Sequence, residues 1–417
     1  MIQLPTLDDL PDRAVSGQVV LVRVDFNVPM DGDVVIDATR LREALPTLDA
    51  LAERGARQLL VSHRGRPKGK RVAELTLEPV ARALGELWQR EVGFASDCVG
   101  EPARVAAERL RPGDACLLEN VRFHAGEEAN DAGLATQLAA LARTFVFDAF
   151  GTAHRAHAST AGVPSRVEHR AAGRLMVLEL ERLGRLLENP ERPYVAILGG
   201  AKISGKIALL GRLVDDIDAL LVGGGMANTF LAAGGRELAD SLVERDQLDV
   251  ARDILRDCEA ADVAVELPVD LVVTRTATSG RSDDLDAEAP VAEVVTGDVP
   301  LGHRAVDIGP HTRARFRECI AGARTVFWNG PMGVFEQPPF DQGSVEVARA
   351  LADSSGYSVV GGGETAAALE RAGCSASVGH VSTGGGAALA FLAGAPLPAV
   401  AALLEAAARG PTDRGAR

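Results

Sequence analysis

"LGGAKISGKI", residues 198–207, decides how the second half of this chain is read. The apolar run "YVAI" just before it reads as a strand. Gly200, Gly205 and Lys206 fall on the G-x-x-x-x-G-K spacing of a phosphate-binding P-loop. A P-loop continues with Ser or Thr, whose hydroxyl binds Mg²⁺. Here the next residue is Ile207, which has no hydroxyl. A strand, a glycine pair and two lysines therefore precede a helix, but the metal-binding side chain of a P-loop is missing.

Working outward, 417 residues exceed one typical core, so two domains or slightly more are expected. The composition is globular, and no apolar stretch is long enough to cross a bilayer. The start "MIQLPTLDDLPDR" lacks a basic region followed by an apolar one, so no signal peptide is expected. Cys98, Cys116, Cys258, Cys319 and Cys374 are scattered without a C-x-x-C pair. That pattern suits reduced thiols in a cytoplasm better than a disulfide framework or a zinc site. A net charge of −14 argues against a nucleic-acid surface. It leaves room for a small anionic substrate where basic residues gather locally. Only four of the 44 basic residues are lysines, and two of these, Lys202 and Lys206, lie in the opening stretch. A compact ammonium differs from a planar guanidinium in what it can do there.

Strand-like and helical patterns alternate throughout, which predicts an α/β fold with parallel sheets covered on both faces. Strands are expected at 19–26, 58–63, 115–120 and 144–150, then at 194–200, 219–225, 325–330, 358–363 and 376–382. "KIALLGRLVDDIDALL" places Ile207, Leu210, Val214, Ile217 and Leu221 at helical spacing. A helical segment at 173–193, closed by Pro190 and Pro193, marks the junction between halves. The expected domains are 1–172 and 194–397, with a tail from about 398 to 417 free to pack on the first. Residues 276–290 read as a polar surface loop, and the tail "RGPTDRGAR" as loose.

Ligands of open parallel sheets bind beyond the carboxyl ends of the strands. In the first half those ends carry "RVDFNVP" with Arg23, Asp25 and Asn27, and "SHRGRP" with His63 and Arg66. They also carry "ENVRFH" with Arg122 and His124, and "DAFGTAHRAH" with His154, Arg155 and His157; Arg40 follows in "IDATR". One Arg alone reads as a solvated charge, but an Arg or His at four successive strand ends suits an anion that guanidinium can grip bidentately. H-x-x-H alone is weak evidence for zinc, so His154 and His157 are read as polar site residues. Asp148 resembles the Asp of a Walker B element, a common pattern, and is read as structural. In the second half the strand ends are glycine-rich, at 199–202, 223–225, 329–331, 361–365 and 383–386. Glycine permits close backbone approach, and amides at helix starts attract phosphate. Glu364 offers a carboxylate where Mg²⁺ on a phosphate chain needs one. One half thus suits a compact anion and the other a nucleotide with Mg²⁺, which points to phosphoryl transfer.

"RVDFNVP", "SHRGRP", "LLENVRFH", "DAFGTAHRAH", "ILGGAK", "GGGMA", "FWNGPMGVFE" and "HVSTGGGA" occur in this order from about Val22 to Ala387. Together they resemble phosphoglycerate kinase. The resemblance implies two Rossmann-like domains joined by a helical hinge, closing over Mg-ATP and 3-phosphoglycerate, in a cytoplasmic glycolytic enzyme that is typically monomeric. It implies that Asp25, Asn27, Arg40, His63, Arg66, Arg122 and Arg155 hold the phosphoglycerate. Arg40 would also reach the transferring phosphoryl group, and Lys202 would stabilise its charge. Lys206 would bind the nucleotide phosphates, Asn329 the phosphate chain and Glu336 the ribose, while Gly362, Gly363, Glu364 and Thr365 form the phosphate and metal corner. The family usually has Asp where this chain has Gly205 and again where it has Glu364. The first exchange creates the accidental P-loop spacing. Two other readings compete: a P-loop-type NTPase, which lacks its hydroxyl, and a binding module that kept its ligands but lost turnover.

Overall fold

Runs of valine and leucine with no polar alternation need burial on both faces, and in the computed structural model they form the central strands of two parallel sheets. Residues 4–276 and 291–408 are described. They fall into two compact units: one runs to Glu181 and takes in the segment from Pro396, and the other is Arg182–Ala395.

The first unit contains β1 (Val19–Val24), a small hairpin of β2 (Met30–Asp31) and β3 (Val34–Val35), α1 (Thr39–Glu53) and β4 (Arg57–Val61). It continues with α2 (Glu78–Trp88), β5 (Val92–Ala95), α3 (Gly100–Arg109), β6 (Ala115–Leu118), α4 (Ala132–Ala139), β7 (Thr144–Asp148) and β8 (His169–Ala172). The helix α5 (Arg174–Gly184) carries the division between units. The sheet order is β5-β6-β4-β1-β7-β8, all parallel. Val22 sits opposite both Leu60 and Val146, and all three are fully buried. Each such side chain contributes about 1.5–3 kcal/mol relative to exposure.

The second unit contains β9 (Tyr194–Leu198), α6 (Ile207–Leu213), β10 (Ala219–Val222), α7 (Gly224–Ala233), α8 (Leu248–Ala260) and β11 (Ala264–Glu266). Next come β12 (Asp270–Arg275), β13 (Glu293–Thr296), β14 (His303–Ile308), α9 (Pro310–Gly322) and β15 (Thr325–Asn329). It closes with α10 (Gln342–Asp353), β16 (Tyr357–Gly361), α11 (Gly363–Arg371), β17 (His380–Ser382) and α12 (Gly386–Leu392). Its main sheet, β11-β10-β9-β15-β16-β17, is also parallel. The last helix, α13 (Pro398–Ala408), packs in the first unit beside Ala158–Gly162.

Both main sheets are parallel α/β assemblies, as the alternation of patterns predicts. Three expectations need correction. A second sheet, β13-β12-β14, is antiparallel and was not anticipated. The helix expected to reach Leu221 stops at Leu213, and Leu221 lies in β10. The Asp218 carboxylate breaks the pattern: it accepts from the Tyr194 amide at 2.6 Å and from Arg192 at 2.6 Å, pinning the entrance of β9. The strand expected over 376–382 is confined to His380–Ser382, after a single turn at Ser375–Ser377. The polar stretch beyond Thr276 and the final tail lie outside the described residues.

Asp148 ends β7 fully buried, and its Oδ1 accepts from the Met176 amide at 3.1 Å at the start of α5. Burial outweighs these hydrogen bonds and pushes its carboxyl up to about 6. The native value exceeds the ordinary 3.8, so the native state binds the proton more tightly than the unfolded chain. The stabilisation is complete below the unfolded value and is lost as pH rises towards about 6. Chemical denaturation should show wild type losing stability relative to Asp148→Asn between about pH 4 and 7, by roughly 1–3 kcal/mol. Parallel pH profiles for the two proteins would contradict this.

Candidate active site

The first unit presents basic side chains just past the ends of β1, β4, β6 and β7, the four contiguous strands at the middle of its sheet. After β1, Asp25 Oδ2 accepts from Arg40 Nη1 at 2.9 Å, and the same nitrogen reaches the Asn27 carbonyl at 3.2 Å. The Asn27 side chain accepts from the Gly65 amide at 2.9 Å, tying this loop to the one after β4. Arg122 is buried and donates to the Gly65 carbonyl at 2.7 Å. Burial, with Arg155 next in weight, pushes its guanidinium down to about 10. Arg155 is half-buried and donates from Nε to His154 Nε2 at 3.3 Å. Arg66 is exposed on the loop after His63.

His63 lies under this group, almost wholly buried. Arg23 donates from Nη2 to His63 Nδ1 at 3.2 Å, so the ring proton sits on Nε2. Burial, then Arg23, Arg122, Arg155 and Arg40 in turn, hold the His63 imidazole well below 6.5. The sequence placed Arg23 among the strand-end residues without this duty. Arg23 is itself buried, donating from Nε to Ser159 Oγ at 2.8 Å and from Nη1 to the Val24 carbonyl. Ser159 Oγ donates onward to the fully buried Glu127 carboxylate at 2.6 Å. That carboxylate, missed in the sequence reading, follows the "ENVRFH" motif by three residues. It supplies the counter-charge that makes a buried guanidinium tolerable. His157 Nδ1 lies 3.7 Å from Glu127, and burial holds its ring near 4, so it is a neutral member of the network.

In the second unit the β9, β10 and β15 ends meet through bare backbone. A Cβ on Gly199 would lie 2.2 Å from the Pro331 carbonyl oxygen, and one on Gly330 2.3 Å from that of Gly199. Gly330 also has φ +97°, a conformation that side chains strongly disfavour. The approach is sealed by Gly200 N to Pro331 O at 2.7 Å, Gly224 N to Met332 O at 2.9 Å and Met226 N to Gly200 O at 3.0 Å. Beside it opens a cavity of about 230 Å³. Gly200, Gly224, Gly225, Asn228 and Leu242 line it, with Leu271 and Ala305–Ile308 from the unanticipated antiparallel sheet, and Glu336 and Glu364. The signal for that wall was present as the apolar run in "DLVVTR" and the strand-like "HRAVDI".

Lys206 turns back from the start of α6 and donates to the Gly199 carbonyl at 2.5 Å. Burial pushes its ammonium down, and Glu364 pulls it part of the way back. Lys202 is exposed on the same loop. Asn329 is buried and donates to the Gly361 carbonyl at 2.8 Å. Thr365 Oγ1, buried, accepts from the Gly330 amide at 2.7 Å. Both therefore brace the turn at Gly362 and Gly363. Glu364 is exposed in the first turn of α11 and borders the cavity. A hard divalent cation is commonly held by one carboxylate together with phosphate oxygens and waters, and Glu364 fits that pattern. Gly205 is exposed, and a Cβ there would meet nothing within 4 Å.

Clustered guanidiniums on one parallel α/β unit, and a glycine-walled cavity beside a lysine-bearing loop on another, are the features of a two-domain phosphotransferase. The family model described as phosphoglycerate kinase matches residues 8–395. A phosphoglycerate kinase of Moorella thermoacetica is 50% identical over 95% of this chain and 98% of its own length. That of Pelotomaculum thermopropionicum is 49% identical over 94% and 98%. Among solved structures, phosphoglycerate kinase from Coxiella burnetii superposes with a TM-score of 0.83 at 41% identity, covering 97% of this chain and 99% of that one. The enzyme from Pyrococcus horikoshii gives 0.83 at 32% identity, covering 97% and 100%. The chain belongs to the phosphoglycerate kinase family, and its activity is that of a kinase.

With its Nδ1 occupied by Arg23, His63 should stay neutral throughout the working range. In the ligand-free protein, NMR of labelled histidines should find no His63 titration step near 6.5. A step there would overturn the assignment of an Nε2–H donor.

Proposed function

We propose that the two units divide the ligands. The first holds 3-phosphoglycerate through Asp25, Asn27, Arg40, His63, Arg66, Arg122 and Arg155. The second holds ATP, with Lys206 at the phosphates and Glu336 at the ribose. Asn329 and Thr365 support the phosphate corner formed by Gly362, Gly363 and Glu364. The observation that carries this reading is the gathering of Arg23, Arg40, Arg122 and Arg155 around one neutral histidine. So many guanidiniums offset by few carboxylates await an anion.

A substrate carboxylate oxygen attacks the γ-phosphorus in line, and the bond to the ADP oxygen breaks with its electron pair leaving on ADP. No side chain needs to become covalently bonded. The protein's work is alignment and neutralisation of charge on the moving group, by Arg40 and Lys202. Mg²⁺ bound at Glu364 would supply further neutralisation of the phosphate chain. An exposed ammonium on a loop suits Lys202 to follow a moving phosphoryl group. Among the described residues no helix is long and apolar enough to cross a membrane. Five free cysteines support a reducing cytoplasmic setting, and a monomer follows the family's habit.

A coupled assay tests the reading: ATP consumption should require both 3-phosphoglycerate and Mg²⁺. Phosphate release without 3-phosphoglycerate would instead mark an NTPase, and ATP binding without acyl phosphate a non-catalytic module. Lys202→Ala should lower kcat by about 10²–10³-fold, with KM values changing much less; an unchanged kcat removes Lys202 from the transfer step. Arg155→Ala should weaken 3-phosphoglycerate binding by roughly 10–100-fold and leave ATP affinity nearly intact in calorimetry. Equal losses for both ligands would count against the division of labour.

A further inference from the structure

The loop that carries Lys202 and Lys206 has little structure of its own. Ala201, Lys202, Ser204 and Gly205 are exposed, and the loop's own backbone bond runs from Lys206 N to Ile203 O at 2.8 Å. Gly205 adds freedom that its surroundings do not demand, since nothing lies near its missing Cβ and its φ is not left-handed. An unconstrained glycine has more conformational entropy to lose when a loop is ordered.

The order comes from Glu244. The Ile203 amide donates to Glu244 Oε2 at 2.6 Å, and the Ser204 amide donates to the same oxygen at 3.1 Å. Ser204 Oγ donates to Oε1 at 2.6 Å. Two consecutive amides and a hydroxyl are thus gathered by one carboxylate, the strong charge-assisted form of hydrogen bond. Glu244 is in turn fixed: its amide donates to Thr229 Oγ1 at 3.1 Å, and Thr229 is fully buried in α7. Two residues earlier, Leu242 walls the nucleotide-side cavity. One short segment therefore shapes that cavity and holds the lysine loop.

We propose that Glu244 is a positioning residue for phosphoryl transfer. By gripping the Ile203 and Ser204 amides it aims the Lys202 ammonium and fixes the stem from which Lys206 turns back. This rests on the reading that Lys202 neutralises the moving phosphoryl group. Holding the loop through its backbone leaves both ammonium groups unpaired with Glu244 and free for phosphate. A carboxylate placed at position 205 would instead stand beside Lys206 on the loop itself.

The test uses the full chain with Glu244→Ala, Glu244→Gln, Lys202→Ala and the Glu244→Ala/Lys202→Ala double variant. The readouts are kcat, both KM values and thermal melting. Glu244→Ala should lower kcat by roughly 10–100-fold, the scale of a misplaced catalytic group. KM for ATP should rise, and KM for 3-phosphoglycerate should hold. Glu244→Gln keeps an acceptor oxygen for the amides and should restore most of the rate. In the Lys202→Ala background, Glu244→Ala should cost less than about threefold more in kcat, because groups that act as a unit are not additive. If Glu244→Ala does not fold, Glu244→Asp, one methylene too short to span the amides, carries the same comparison. The proposal is overturned if kcat is unchanged, if the double variant loses the full product of both effects, or if KM for 3-phosphoglycerate rises in step. Should Lys202→Ala slow turnover while Glu244→Ala does not, Lys202 keeps its role and Glu244 loses it. Should Lys202→Ala leave kcat unchanged, both readings fall together.

Discussion

The second unit of this enzyme depends on the approach of two unclothed backbones, at Gly199 and Gly330. No side chain could occupy either position, because each Cβ would overlap a carbonyl oxygen of the other segment. The contact lets strands β9 and β15 exchange hydrogen bonds past their ends, and it draws the start of α7 against them. All three segments contribute to the wall of the adjoining cavity, through Gly200, Gly224 and Pro331. The same contact places the Gly199 carbonyl where the Lys206 ammonium can reach it. The site is thus built from strand ends and a turned-back lysine rather than from one looping nest of amides, and nothing in it depends on a hydroxyl at Ile207.

The first unit solves a different problem, which is how to keep several guanidiniums close together. Its answer is graded burial. Arg23 and Glu127 form the buried base, joined through Ser159. Arg122 is buried but hydrogen-bonded to a loop carbonyl, and Arg40 and Arg155 are half-exposed. Repulsion among them is partly relieved by Asp25, Glu127 and Glu128 and partly by solvent. Keeping His63, His154 and His157 neutral avoids adding further positive charge to the cluster. The remaining imbalance is the attraction offered to an anion.

Much of this could be read in the chain. Continuous apolar runs such as "VVLVRV" and "TVFWN", bounded by turn residues, read as doubly buried parallel strands, and the polar residues directly after them then lie along one edge of the sheet. Less was legible where local pattern and tertiary demand disagree. Asp218 ends a helical pattern early because a strand entrance needs its carboxylate. The strands β12 and β14 pair antiparallel although β13 lies between them in the sequence, and their short runs carry no mark of their partners. The edge strand β8, "HRAA", has too few apolar residues to announce itself.

By itself, the sequence determined the α/β class, the family and the side chains at the strand ends, since all three follow from local order along the chain. Tertiary structure alone decided that Arg23 orients His63, that Glu127 balances Arg23, that β14 walls the cavity of the second unit and that Glu244 restrains the lysine loop. These are contacts between residues far apart in sequence. For Arg23, His63 and Glu127 they arise from hydrogen-bonding and charge requirements that appear once burial has removed water from the groups concerned, and for Glu244 from a fold that brings its carboxylate within reach of the loop amides.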